Sequence, residues 1–205
     1  MNNQRVVIVT GGIGSGKSTL CKLLGEKGAM LYSLDEVSRD LLRSNEDMVA
    51  ELAQEFGPQI LDEDGAVIPA ELAAAAFADD ASTQAMNAIT MPYIVQAATN
   101  YILASSDHCV PLSSAPALVV EVPLLTEVPE LAALADEVIA VEADPEVRLE
   151  RCIARGMNID DAMARINRQP DDAQRRQLAT TICDNSGSEE DLSTWASAWW
   201  EKLDK

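Results

Sequence analysis

Residues 11–18 constrain the fold of this chain most strongly, because four of the first six positions in this segment are glycine and cannot form regular structure. The segment reads Gly-Gly-Ile-Gly-Ser-Gly-Lys-Ser and satisfies the pattern G-x-x-x-x-G-K-S/T in full. A β-branched apolar run at residues 6–9 precedes it, and leucines at helical spacing follow it over residues 17–27. In such a strand–turn–helix unit, backbone N–H groups and a helix N-terminus converge on an anion. The segment therefore predicts a phosphate-binding loop.

The residues of this loop are typical of nucleoside triphosphate binding. Lys17 is expected to place its charge on the β- and γ-phosphates, and the Ser18 hydroxyl is expected to bind Mg²⁺. The predicted nucleotide-binding residues of the loop are Gly11, Gly12, Ile13, Gly14, Ser15, Gly16, Lys17, Ser18 and Thr19. The pattern alone does not separate a kinase from a GTPase or an ATPase, but the guanine-reading tetrapeptide N-K-x-D of GTPases does not occur here.

Strand and helix patterns alternate at both ends of the chain, whereas only helical patterns fall between residues 46 and 105. We predict strands at residues 6–9, 29–32, 117–122, 137–141 and 181–183. We predict helices at residues 17–27, 35–43, 46–56, 69–77, 82–104, 145–155, 159–168 and 189–202. This order predicts a P-loop three-layer α/β/α fold with a mostly parallel five-stranded sheet. Its core would comprise residues 1–45 and 115–205, and residues 46–114 would form an α-helical insert.

Residues 11–18, Asp35 and Pro123 come directly after predicted strands, and Glu121 lies near the end of one, at the carboxyl edge where parallel sheets bind ligands. Asp35 follows the second strand, where its carboxylate can accept a hydroxyl proton during phosphoryl transfer or, alternatively, cap the next helix. Glu121 ends the third strand and would either hold a magnesium-bound water or serve as a satisfied strand-end acid. Pro123 closes the same strand. We therefore expect these residues and the loop to share one edge of the sheet.

The charge of the chain is strongly acidic, with 34 Asp and Glu against 15 Lys and Arg and a net charge of −19. This excess argues against nucleic acid or an anionic membrane surface as the main partner. Seven of the ten arginines nevertheless fall between residues 148 and 176, where five acidic residues leave a local charge of +2. Such a segment suits a clamp on phosphate groups, although a solvated helical surface is the alternative for any single arginine.

The remaining composition indicates a reduced, intracellular environment. The apolar run near the N-terminus ends in glycines after about five residues, too short for a signal peptide or a membrane span. A cytoplasmic location is therefore expected. A monomer is expected in preference to an oligomer, although no sequence pattern specifies the oligomeric state. No paired spacing connects the cysteines, so reduced thiols and no zinc site are expected for Cys21, Cys109, Cys152 and Cys183. The only histidine, His108, lies in a polar connection and is not expected to be catalytic.

Several motifs resemble, in order along nearly the whole chain, those of dephospho-coenzyme A kinases. Residues 10–19 resemble the opening of that family, and Val-Pro-Leu-Leu-Thr-Glu at residues 122–127 resembles its V-P-L-L-x-E. Residues 34–39 resemble its D-A-D-x-I-A-R segment, residues 56–57 with 64–65 resemble its F-G and D-G stretch, and residues 184–187 resemble its late N-x-G. Arg151 and Arg155 match two arginines of the family's lid, and Gln169 matches a glutamine of the lid.

The resemblance implies a reaction and a set of roles. Enzymes of this family transfer the γ-phosphate of ATP to the ribose 3′-hydroxyl of dephospho-coenzyme A. Asp35 would be the catalytic base and Arg39 would lie near the acceptor, while the helical insert would bind the coenzyme and residues 145–176 would form the lid. Catalysis is assigned to Asp35, Lys17, Arg151 and Arg155, nucleotide binding also to Asn185, acceptor binding to Arg39, Pro123 and Leu124, and magnesium to Ser18 and Glu121.

Four positions depart from the family pattern, and two of these departures fall on the acceptor side. Ser33 replaces an aspartate, Met91 replaces the histidine before Pro92, and Pro69 stands where the family has an arginine. A late Ala-Asp pair is Ala-Thr at residues 179–180. Two alternatives therefore stay open, a P-loop kinase of another small-molecule hydroxyl such as a nucleoside or sugar, and a nucleotide-binding regulator without transfer activity.

Overall fold

A computed structural model describes residues 4–106 and 115–203, which divide into two compact units. The first unit comprises Met1–Ser33 and Tyr101–Lys205, and the second comprises Leu34–Asn100. The predicted insert covered residues 46–114, whereas the second unit begins at Leu34 and ends at Asn100. It begins earlier because the helix after Ser33 packs against the next helix of this unit. His108, for which no catalytic role is predicted, and Cys109, for which a reduced thiol is predicted, lie outside the described residues.

The first unit is built on a five-stranded parallel sheet in the order β2-β3-β1-β4-β5. Its strands are β1 (Arg5–Gly11), β2 (Met30–Ser33), β3 (Ala117–Glu121), β4 (Glu137–Glu142) and β5 (Thr181–Asp184). In the register of the sheet, Val9 of β1 lies opposite Glu121 of β3 and Ile139 of β4. The prediction of five strands in a three-layer α/β fold is confirmed.

The middle residues of the central strands β1, β3 and β4 are mostly apolar and buried because helices cover both faces of a parallel sheet. Val7, Ile8 and Val9 of β1 are fully buried. One face packs against side chains of the first and last helices, with Leu24 and Trp199 among them. Trp199 also donates its indole N–H to Glu137 Oε1 at 2.9 Å, which gives this buried carboxylate a partner.

The eight predicted helices are confirmed, with ends that shift by at most two residues, and a short helix at Asp172–Arg176 was not predicted. They are α1 (Lys17–Glu26), α2 (Leu34–Ser44), α3 (Glu46–Phe56), α4 (Pro69–Ala76), α5 (Asp80–Ser106), α6 (Pro145–Ala154), α7 (Ile159–Arg168), α8 (Asp172–Arg176) and α9 (Glu189–Trp200). Short 3₁₀ helices lie at Pro58–Ile60, Leu125–Glu127 and Pro129–Leu134. No helix within residues 4–106 and 115–203 has both the length and the apolar character of a membrane span.

The second unit has a small core of its own, in which Met48, Leu52 and Ile60 are fully buried. The Asn45 side chain caps α3 by accepting a hydrogen bond from the backbone N–H of Met48 at 2.9 Å. A tight turn follows at Gly65, whose φ of +80° favours glycine. These features give the unit a defined helical framework.

Candidate nucleotide-binding site

The phosphate-binding loop connects β1 to α1 through a backbone that requires glycine. Gly14 and Gly16 have φ values of +76° and +95°, in the left-handed region that other residues rarely adopt. Gly16 is the N-cap residue of α1 and offers no side chain to the N–H groups of the first turn. These donors and the positive end of the helix therefore remain available to a phosphate.

Side chains from three distant segments brace this loop. Asn185, which follows β5, donates its amide N–H to the carbonyl of Ser15 at 2.8 Å. Arg148 of α6 donates Nε–H to the carbonyl of Ile13 at 2.9 Å, and Gln169 accepts the N–H of Ile13 at 2.7 Å. The loop is therefore held in its curled form from outside by residues more than 130 positions away.

Asn185 offers a direct prediction because it is buried with only 4% of its surface exposed. Replacing Asn185 with alanine leaves the Ser15 carbonyl without this partner, and we expect a loss of about 1–3 kcal/mol of unfolding free energy. Denaturant unfolding measures this loss. Asn167→Ala, at an exposed position of α7, is the matched control and should stay within about 0.5 kcal/mol of the parent. Equal stability of the two variants would contradict the bracing role.

The two predicted magnesium ligands lie together at the carboxyl edge of the sheet. Ser18 at the start of α1 donates its hydroxyl to Glu121 Oε1, at the end of β3, over 2.6 Å. A hydroxyl and a carboxylate oxygen are donors of the kind that Mg²⁺ prefers. No cluster of three or more His, Cys, Asp or Glu within the described ranges could hold a metal alone. The residues therefore fit a magnesium ion whose other ligands are phosphate oxygens and water.

A cavity of about 260 Å³ opens beside the α1 end of the loop. Five of the predicted site residues line it, together with Ala154, Glu189 and Leu192: Gly16, Thr19, Arg151, Arg155 and Asn185. Arg151 is fixed there by donating Nη2–H to the Gly187 carbonyl at 3.2 Å, whereas Arg155 is exposed at the end of α6. The cavity can therefore receive a polar ligand that continues from the loop.

A narrow cleft, too small to hold a water molecule, lies beside Thr10, the residue that precedes the loop. It is lined by the predicted acceptor-binding residues Pro123 and Leu124, by Thr10 of β1, and by Arg175 of α8. Sequence reasoning missed Arg148 and Arg175, which are both buried. The only signal was the excess of arginine between residues 148 and 176, which does not say which of these side chains turns inward.

Asp35 and Arg39 belong to the second unit, in the first two turns of α2. The helix begins at Leu34, so the alternative that Asp35 is its N-cap residue is wrong. Asp35 is exposed and follows Ser33, the last residue of β2, by two positions. Arg39 donates Nε–H to the backbone carbonyl of Asp35 at 3.2 Å. The catalytic role of Asp35 and the acceptor-binding role of Arg39 stay predictions.

The described cysteines take no part in this chemistry. Cys21, Cys152 and Cys183 are buried free thiols. Burial raises the pKa of the Cys21 thiol far above its usual range, and the nearby charge of Glu121 adds to the shift. Burial also raises the pKa of Cys183 to about 12. Both thiols are therefore protonated and unreactive at neutral pH.

Comparison with known proteins places the chain among related kinases. A family model described as dephospho-CoA kinase matches residues 5–191. A dephospho-CoA kinase from Corynebacterium diphtheriae is 36% identical over 200 residues, which cover 97% of each protein. A crystal structure from Thermus thermophilus matches with a TM-score of 0.74 and 28% identity over 98% of each chain. A dephospho-CoA kinase from Campylobacter jejuni, at 21% identity, shares the fold with a TM-score of 0.66 over 98% of this chain and 97% of that one.

Proposed function

Since this chain belongs to the dephospho-coenzyme A kinase family, we propose that it transfers the γ-phosphate of ATP to the ribose 3′-hydroxyl of dephospho-coenzyme A. The observation that carries the proposal is the complete phosphate-binding loop with Ser18 and Glu121 joined at 2.6 Å beside it. In the reaction, the ribose 3′-oxygen forms a bond to the γ-phosphorus of ATP. The bond between the γ-phosphorus and the β,γ-bridging oxygen breaks at the same time. ADP and coenzyme A are the products.

The ATP end of the site supplies alignment and positive charge, which phosphoryl transfer needs more than covalent help. The loop amides and Lys17 hold the phosphates, and Arg151 and Arg155 of α6 line the adjoining cavity. Ser18 and Glu121 would hold Mg²⁺, which when bound neutralises charge on the phosphate oxygens. Closure of residues 145–176 over the nucleotide would exclude water as a competing acceptor.

The acceptor end depends on Asp35. Its exposed carboxylate makes no hydrogen bond or ion pair through its side chain with any described residue, so both oxygens can receive the 3′-hydroxyl proton. A positioned base of this kind contributes roughly 10²–10⁴-fold to the rate. Arg39, one turn further along α2, would contact the acceptor. Dephospho-coenzyme A is a small anionic molecule, which suits a site whose cations are concentrated in an otherwise acidic protein.

One departure from the family pattern has a structural cause. Pro69 replaces an arginine of the insert and is the first residue of α4, a position that favours proline because its missing N–H would have no partner there. The insert arginine is thus replaced by a residue that starts a helix. Met91, in place of a histidine, lies within α5 and is half-buried. These two positions favour the second candidate, a kinase of another hydroxyl such as a nucleoside or sugar.

An assay of ADP release with a panel of acceptors tests the proposal. Purified protein, ATP and Mg²⁺ are supplied with dephospho-coenzyme A, with adenosine, or with a hexose. Turnover that is fastest with dephospho-coenzyme A, with coenzyme A formed in step with ADP, is the expected result. Preferential turnover of adenosine or the hexose would establish the second candidate instead. Binding of ATP without transfer to any acceptor would indicate a regulator.

The magnesium site gives a prediction of its own. Glu121→Gln keeps an oxygen that can accept from Ser18 but removes the negative charge, so we expect the Mg²⁺ concentration for half-maximal rate to rise about 10- to 100-fold. A magnesium titration at fixed ATP measures it. Glu130→Gln changes an exposed acid of the 3₁₀ helix Pro129–Leu134, outside the family motif, and should leave the titration unchanged. An unaltered midpoint in Glu121→Gln would show that this carboxylate does not serve the metal.

A further inference from the structure

Two buried side-chain atoms within the described residues lack a hydrogen-bond partner, and both lie at the phosphate-binding loop. They are Ser15 Oγ and Arg175 Nη2. Arg175 is only 4% exposed, and its other terminal nitrogen, Nη1, donates to Asp172 Oδ1 at 2.6 Å. A buried guanidinium with a free N–H group is costly unless something binds to it. The position of Arg175 therefore indicates that a ligand with a hydrogen-bond acceptor atom binds beside its Nη2.

The free nitrogen of Arg175 faces Gly12 of the loop. A methyl group on Gly12 would lie 2.9 Å from Arg175 Nη2 and closer still to the guanidinium of Arg148. Two guanidinium groups thus occupy the space that a side chain at this position would fill. Arg175 is fixed there by α8, which opens with a capping box between Asp171 and Gln174.

This pair of arginines carries more positive charge than its surroundings neutralise. Arg148 bonds to the neutral groups Ile13 and Gln169, and within the described part of the chain the only carboxylate bonded to either arginine is Asp172. Burial, and secondly the charge of Arg175, hold the pKa of the Arg148 guanidinium below its usual value. An anion beside Gly12 would relieve both the repulsion and the unpaired N–H group.

The direction of the nucleotide identifies which anion this is. A nucleoside bound in the cavity that Gly16 and Thr19 line would direct its phosphates from that end of the loop toward Gly12. The terminal phosphate then lies at the Gly12 end. Arg175 also lines the cleft formed with Pro123 and Leu124, the predicted acceptor-binding residues. Arg175 therefore lies beside both Gly12 of the loop and the predicted acceptor-binding residues Pro123 and Leu124.

We propose that Arg175 is a further binding residue of the reaction, which donates its free Nη2–H to the γ-phosphate of ATP. The inference rests on the proposed function only in taking ATP as the nucleotide. Arg175 is distinct from Arg151 and Arg155, which line the cavity at the other end of the loop. Its contact exists with ATP and is lost with ADP, because ADP lacks the γ-phosphate.

The test compares the affinities of the parent protein and of Arg175→Gln for ATP and for ADP by calorimetry, with Mg²⁺ and without a phosphoryl acceptor. We expect Arg175→Gln to weaken ATP binding about 10- to 100-fold, the cost of one charge-assisted hydrogen bond, and ADP binding less than about threefold. Equal weakening of both nucleotides would reduce Arg175 to a structural role, and no change in either would exclude the contact.

Two further variants secure this test. Arg175→Lys retains the charge and a donor, so it should recover part of the preference for ATP and keeps the experiment decisive if Arg175→Gln does not fold. An ATP-to-ADP affinity ratio in Arg175→Lys as low as that in Arg175→Gln, or an ADP affinity that falls more than the ATP affinity, would also overturn the proposal. Arg43→Gln alters an exposed arginine of α2 that lies 3.5 Å from Asp40, outside the lid segment, and should change neither affinity. Because no acceptor is present, absence of turnover with dephospho-coenzyme A would refute the proposed function and leave this result intact.

Discussion

Replacing Lys17 with alanine is expected to lower kcat/KM for ATP by roughly 10³- to 10⁵-fold, the range for removing one catalytic cation from phosphoryl transfer. Lys17 is the first residue of α1 and follows the left-handed Gly16 directly. Within the described ranges its ammonium group makes no salt bridge, so its charge is available to a phosphate. Steady-state kinetics over a range of ATP concentrations measures the loss.

A control on the same helix separates this effect from a general loss of charge. Lys22→Ala removes an exposed lysine that lies 3.9 Å from Glu26, a surface pair of small energetic value. The Lys22 variant should keep kcat/KM within about twofold of the parent. If Lys17→Ala were as active as Lys22→Ala, residues 11–18 would not be the triphosphate site.

Replacing Asp35 with asparagine is expected to lower kcat by about 10²–10⁴-fold while ATP affinity changes little, because only the proton acceptor is removed. Asparagine has nearly the same size, and Asp35 is exposed, so the fold should tolerate the change. Turnover with dephospho-coenzyme A gives kcat, and calorimetric titration with ATP gives the affinity.

The neighbouring acid supplies the matched control for Asp35. Glu36 is also exposed in the first turn of α2, so Glu36→Gln removes one negative charge from the same helix terminus. We expect near-parental kcat in the Glu36 variant. A kcat in Asp35→Asn equal to that of Glu36→Gln would remove Asp35 from the mechanism.

The phosphate-binding loop and the strand order around it could be predicted from the sequence because their signals are local. Gly14 and Gly16 have positive φ values, which the curled backbone of the loop requires. The apolar run of β1 is buried on both faces of the sheet. Parallel alternation then brings Ser18 and Glu121 to one edge, although they are 103 residues apart. The family resemblance supplied the lid arginines and Asn185, all of which line the same cavity.

The features that could not be predicted depend on contacts across long distances in the chain. Arg148 and Ile13 are 135 residues apart, and a window of seven arginines does not reveal which of them is buried against a backbone carbonyl. The helix α8 is only five residues long, and its capping box stabilises it without an apolar pattern. The division of the two units at Ser33 follows from packing of α2 that its own pattern does not specify.

The central claim is that the loop and Asp35 act on the same ribose hydroxyl, and a crystal structure with dephospho-coenzyme A and a non-hydrolysable ATP analogue tests it most directly. The distance from the ribose 3′-oxygen to the nearer Asp35 carboxylate oxygen is the quantity to measure. We predict about 2.6–3.2 Å, with the 3′-oxygen also facing the γ-phosphorus. A ribose bound elsewhere, or an Asp35 carboxylate well beyond hydrogen-bonding distance while another base contacts the hydroxyl, would contradict the account.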